Sequence, residues 1–108
     1  MNIYMKALRY LEPNKLEIQD IAKPSPKKNE VLLRVRSCGI CGSDVHGYLG
    51  LTGRRTPPMT MGHEFSGEIV EVGADVKSLK AGDRVAPYPV DFCEECDMCK
   101  KGDFHLCK

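Results

Sequence analysis

Glu68-Ile69-Val70-Glu71-Val72-Gly73 carries polar and apolar residues in near alternation, the pattern of a strand with one face in a core and the other in water. Downstream, Asp83-Arg84-Val85-Ala86 repeats the pattern on a smaller scale after an Ala81-Gly82 turn. Upstream, Met5 to Arg9, Leu16 to Gln19 and Val31 to Val35 are short runs rich in Val, Ile and Leu. Glu12-Pro13-Asn14 and Lys23-Pro24-Ser25-Pro26-Lys27 separate them as turns. The seven prolines fall in connecting segments, where they interrupt no strand pattern. The chain therefore reads as mainly β, a barrel or a sandwich. A single segment has helical character: Ser43 to Leu49, opened by Ser43 and Asp44 and closed by Gly50. Cys93 to Cys107 follows neither period and is expected to be a loop held by its cysteines.

The 108 residues suffice for one domain, taken as 1–108. Apolar residues at 42% and charged residues at 29% are ordinary for a globular chain. No apolar run approaches the roughly 18 residues of a membrane span. Sixteen Lys and Arg against 15 Asp and Glu leave a net charge of +1, which offers no footprint for nucleic acid or an anionic membrane. Met1 to Lys6 has no basic segment followed by an apolar stretch, so a cytoplasmic, thiol-reducing location is expected. In that setting six cysteines, beside seven aromatic residues and no Trp, point to metal as a second source of stability.

Cys93, Cys96, Cys99 and Cys107 give C-x2-C-x2-C-x7-C. Four thiolates suit zinc in a closed tetrahedral site, which does structural work. An iron–sulfur cluster is the rival, but its bacterial pattern takes three residues and a Cys-Pro after the third cysteine, where this chain has seven and Cys-Lys. Disulfide pairing is the bland reading. His105 is expected at the surface.

A second set lies apart: Cys41, Ser43, Asp44 and His46, then His63 and Glu64 some 22 residues after Cys41. One thiolate, one imidazole and one carboxylate leave a coordination position for water or substrate, the mark of a catalytic metal. Each residue alone has a dull explanation: Cys41 a small buried hydrophobe, Ser43 a helix cap, His46 a solvent-facing residue, His63-Glu64 a turn pair.

The grouping changes this balance. Gly39-Ile40-Cys41-Gly42-Ser43-Asp44-Val45-His46, Gly62-His63-Glu64-Phe65-Ser66-Gly67-Glu68-Ile69-Val70-Glu71-Val72-Gly73, Gly82-Asp83-Arg84-Val85 and the four-cysteine loop resemble the zinc-dependent medium-chain alcohol and polyol dehydrogenases. The resemblance is nearest to the sorbitol, threonine and butanediol dehydrogenase branch and covers nearly the whole chain. It implies an N-terminal catalytic domain folded as a GroES-like β-barrel, with a short helix and a cysteine-rich zinc loop. It also implies that Cys41 and His63 bind a catalytic zinc, with Glu64 a ligand in some states or a partner through water. Ser43 would accept the substrate hydroxyl proton and pass it toward His46, and Asp44 would orient the zinc-bound imidazole of His63. The reaction implied is hydride transfer from a zinc-bound alcohol or polyol to NAD or NADP in a homo-oligomeric parent. Cys38 matches no ligand position and is read as structural.

A complete relative would continue through a dinucleotide-binding domain, and G-x-G-x-x-G after a strand is not found in the sequence. The chain is therefore expected to be a fragment, inactive alone, with one zinc ligand missing. A non-enzymatic zinc-binding module is the alternative, and a relative that has lost zinc conflicts with the ligand set. Arg54 and Arg55 could reach a phosphorylated polyol, but a solvated surface pair is the expectation. A distance beyond about 6 Å between the thiol of Cys41 and the imidazole of His63 would be too long for a shared ion and would overturn the dehydrogenase reading.

Overall fold

The computed structural model describes residues 3–107; Met1, Asn2 and Lys108, which the readings of the termini and of the 1–108 domain include, lie outside them. Six strands and two short helices follow in the order β1 (Tyr4–Glu12), β2 (Lys15–Ala22), β3 (Val31–Gly39), α1 (Gly42–Tyr48), β4 (Met59–Thr60), β5 (Glu64–Val72), β6 (Arg84–Val85) and α2 (Asp97–Lys100). The strands form two three-stranded antiparallel sheets, ordered β2-β1-β4 and β3-β5-β6. This is a mainly β architecture, as expected, with the strands of the described residues divided between two sheets and not joined into a closed barrel. The strands run longer than their apolar runs, because backbone pairing continues into polar residues at either end. The two-residue β4 carries no readable alternation, and its register with Arg9 and Tyr10 is purely tertiary.

The β1–β2 hairpin turns through Pro13-Asn14, with Asn14 at φ 66°, the left-handed conformation Asn tolerates. The same turn anchors α1: the Asn14 N–H donates to the Tyr48 carbonyl at 2.8 Å, and the Tyr48 hydroxyl donates to the Asn14 carbonyl at 3.0 Å. The helix is held at both ends by local chemistry. Asp44 accepts the Cys41 N–H at its start, and Gly50 at φ 75° follows its C-cap.

β5 departs from clean alternation where the sequence places Ile69 beside Val70. Leu32 pairs with Glu71 and Leu33 with Ile69, so Val70 is an extra residue bulged out of the ladder. The bulge lets two successive apolar residues both turn inward. Ile69 and Gly67 are buried, and Val70 lines a cavity of about 560 Å³ between the sheets together with Leu8, Leu33 and Phe65.

The segment from Cys93 to Cys107, expected as a loop held by its cysteines, contains short regular elements as well. It contains α2 and a single 3₁₀ turn, Phe104–Leu106. Elements of four and three residues fall below the span over which apolar periodicity can be read. Their formation is set by the cysteines and by Phe92, which stacks on Phe104 at 4.4 Å between ring centroids.

Candidate functional site

The β3–β5 register assembles the second set of residues. Gly39 pairs with Glu64 at one end of the ladder. Cys41 lies two residues beyond β3, and His63 lies one residue before β5, so antiparallel pairing brings both to the same sheet end. Ligand atoms of Cys41, His63 and Glu64 all lie within 4.8 Å of one another. Bonds of about 2.3 Å to sulfur and 2.0 Å to nitrogen place such atoms at most about 4.3 Å apart, so a set bounded at 4.8 Å is close to the size one shared zinc ion needs. The Cys41–His63 separation is thus inside the limit set from the sequence. Glu64 is exposed, and its Oε2 lies 3.3 Å from where a Cβ on Gly39 would stand. Glycine there leaves the carboxylate its place.

Asp44 lies beneath this set, 8% exposed. Its Oδ2 accepts the Cys41 backbone N–H at 3.0 Å, and its Oδ1 lies 3.3 Å from His63 Nδ1. That nitrogen is buried and makes no hydrogen bond, although Asp44 Oδ1 lies 3.3 Å away. The carboxylate oxygen is an acceptor, so the proton it favours is one on this nitrogen. A proton placed this way leaves the other ring nitrogen as the donor for an ion. Ser43 and His46 are exposed at i and i+3 on α1, neighbours by helical spacing. An open cleft of about 500 Å³, lined by Ser37, His63, Glu64 and Pro87 among others, adjoins the set. The larger inter-sheet cavity is lined by Cys38 and Gly62 but by no candidate ligand, so the chemistry belongs to the smaller cleft.

Arg55 corrects the sequence reading. Arg54 is exposed as expected, but Arg55 is half-buried. Its Nη2 donates to Ser43 Oγ at 3.3 Å and to Asp44 Oδ1 at 3.5 Å. A Cβ on Gly47 would collide with its Cγ. The one trace of this in the sequence is a glycine inside a helical segment, which flags close approach without naming the neighbour.

Cys93, Cys96, Cys99 and Cys107 form the other group, their sulfurs within 4.8 Å of one another and Cys93 Sγ 3.9 Å from Cys99 Sγ. Zinc–sulfur bonds of about 2.3 Å require tetrahedral edges of about 3.8 Å. The nest has that size, and no disulfide joins cysteines of the described residues. N–H groups of Cys96 and Glu95, donating at 3.3 and 3.4 Å, hold the Cys93 thiol below its ordinary value. Burial, followed by the Cys96 thiol, pushes Cys99 up to about 12. At Cys107 the Cys93 N–H pulls downward, but the shared thiol hydrogen bond with Cys93 and burial outweigh it, and the value is raised. One thiolate is welcome in the nest and further ones are opposed until a cation arrives. Cys38, exposed, belongs to neither group, and His105 is exposed.

Two three-stranded sheets carry a four-sulfur nest and a Cys-His-Glu set, two groups of side chains that could each hold a metal ion. The chain belongs to the alcohol dehydrogenase GroES-like domain family, whose pattern it matches over residues 27–108. It is 43% identical to the sorbitol dehydrogenase of Halalkalibacterium halodurans over 83% of this chain and 26% of that protein. An alcohol dehydrogenase from Escherichia coli CFT073 complexed with NADH superposes with a TM-score of 0.90 at 40% identity, covering 98% of this chain and 31% of the other. A cobalt- and zinc-bound alcohol dehydrogenase from Pyrobaculum aerophilum gives 0.91 at 29% identity, covering 97% and 32%. The chain spans 25% to 31% of the length of curated relatives it matches.

Proposed function

We propose that this chain is the metal-binding catalytic portion, residues 1–108, of a zinc-dependent alcohol or polyol dehydrogenase that uses NAD or NADP. The carrying observation is the convergence of Cys41, His63 and Glu64 on one point beside an open cleft, a set that a purely structural zinc module does not need. The sorbitol dehydrogenase relative, the NADH complex and the cobalt- and zinc-bound neighbour support the substrate class and both cofactors.

Cys41 and His63 would hold the catalytic ion, with Glu64 a ligand in some states or a partner through water. Cys93, Cys96, Cys99 and Cys107 would hold a second, structural zinc. When bound, the catalytic zinc supplies a Lewis acid that makes an alcohol hydroxyl more acidic, and the nicotinamide accepts the hydride. Ser43 takes the hydroxyl proton and hands it toward His46, which is exposed and delivers it to water. Asp44 fixes the His63 ring through Nδ1. Small alcohols or polyols are the partners, in a homo-oligomeric full-length protein.

Turnover of polyols with NAD or NADP by the full-length protein, together with metal analysis, tests the reading. Cys41→Ser is expected to lose one zinc per chain and bring turnover to background, with the four-cysteine zinc retained. Full activity in Cys41→Ser, or wild-type protein holding a single zinc, overturns it.

A further inference from the structure

We infer that Arg55 is a positioning residue for the Cys41, His63 and Glu64 site, locking the carboxylate behind the imidazole and the hydroxyl of Ser43 into one arrangement. The inference rests on the metal-site reading above. Asp44 is 8% exposed and carries a side chain that water scarcely reaches. A carboxylate in that position needs its lone pairs filled. The Cys41 N–H fills one on Oδ2, while Oδ1 faces both His63 Nδ1 at 3.3 Å and Arg55 Nη2 at 3.5 Å. The tilt of the imidazole is therefore set by a carboxylate whose own rotation is stopped by the Cys41 N–H on Oδ2 and by the guanidinium on Oδ1.

The same Nη2 lies 3.3 Å from Ser43 Oγ. Guanidinium has donors and no acceptor, so Ser43 must accept there, and its own O–H is left to point elsewhere. One cationic nitrogen thus sets both the ring behind the ion and the direction of the serine proton.

Two further observations separate this pair from an ordinary surface ion pair. The Arg55 and Asp44 side chains are 25% and 11% exposed, against 60% to 83% for the basic partner in each pair made by Lys6, Lys28, Arg36 or Lys80. The Arg55 stem is also seated directly on α1 at Gly47, where any side chain would displace it. Arg55 is the link between the segment following α1 and the helix that carries Ser43 and His46.

Cobalt(II) titration of the full-length protein tests this, because a mixed thiolate, imidazole and carboxylate site and a four-thiolate site give distinct visible spectra. Arg55→Ala is expected to weaken cobalt binding at the mixed site by about tenfold, the lower end for loss of a group that orients a ligand, and to shift its spectrum. The four-cysteine spectrum stays as in wild type. Arg55→Lys recovers part of the affinity, since it keeps the charge and loses the fork. In turnover, kcat falls with KM nearly unchanged. If Arg55→Ala melts, Arg55→Gln, which keeps the stem against Gly47, is judged by the same criteria. Wild-type spectrum and affinity in whichever variant folds overturn the inference alone. Wild-type protein taking no cobalt at Cys41, His63 and Glu64 overturns the metal-site reading, and this inference with it.

Discussion

Asp44 makes more of the site's connections than any proposed ligand does: one oxygen fixes the backbone at Cys41, and the other faces His63 and Arg55. Such a carboxylate works through geometry. Asp83 shows a carboxylate whose proton equilibrium itself carries stability. The Lys80 ammonium at 2.9 Å, then the Lys80 backbone N–H at 3.0 Å, hold its carboxyl below the ordinary value of 3.8. A value depressed in the folded state contributes stability that is complete above 3.8 and is lost as pH falls through the folded value. Asp83→Asn is therefore expected to melt below wild type at pH 7, with the gap closing as the pH drops beneath 3.8. Thermal denaturation of both proteins from pH 7 to pH 2 measures this, and a gap that persists unchanged at the acid end contradicts it.

At the scale of elements, the β3–β5 ladder is the frame on which the candidate ligands hang. Gly67 is buried opposite Val35, and a Cβ there would run into the Arg34 carbonyl and the Val35 backbone. Backbone cannot swing aside as a side chain can. Gly67→Ala is expected to cost about 2–3 kcal/mol, at the upper end for overpacking, and to loosen metal binding at Cys41 and His63 by shifting the register that brings them together. Urea unfolding and metal analysis of the variant check both effects; a loss below about 0.5 kcal/mol, within the range of neutral surface changes, would contradict the first. The strand centres were legible because each is a local apolar run. The β5 bulge at Val70 was not, since adjacent Ile69 and Val70 satisfy a bulge, a buried strand or a helix segment equally well. The metal sets were legible from residue type and order. What the sequence could not carry is the Gly39–Glu64 register that joins Cys41 to His63, and the seating of Arg55 on Gly47. Both are non-local pairings with no periodic trace.

At the scale of the whole molecule, the surface is large for the chain. A compact 12.0 kDa protein exposes about 6,000 Å² and has a radius of gyration of about 13 Å; this one exposes 8232 Å² and has 15.9 Å. Among the described residues only Ala7, Tyr10, Ile69 and Cys99 are buried hydrophobics, while Leu8, Ile18, Val35 and Ile40 are among the large ones left exposed. A core this small places much of the burden of order around residues 93–107 on the zinc proposed for the four-cysteine nest. The nest also makes that burden depend on pH. With Cys99 pushed up to about 12 and Cys107 raised, these thiols keep their protons at neutral pH in the absence of an ion. Zinc must expel those protons to bind, so its affinity climbs with pH. The sign follows directly: the rise in melting temperature on adding zinc to chelator-stripped protein is larger at pH 8 than at pH 6. The Phe92–Phe104 stack lies within the same segment, so stripping should free both rings and release amide protection between Cys93 and Cys107 while β3 and β5 stay protected. Calorimetry at the two pH values, with hydrogen exchange on stripped and reloaded protein, measures both effects. Equal melting shifts at pH 6 and pH 8, or a segment 93–107 that stays protected without metal, would mean that the packing of its side chains orders this loop unaided.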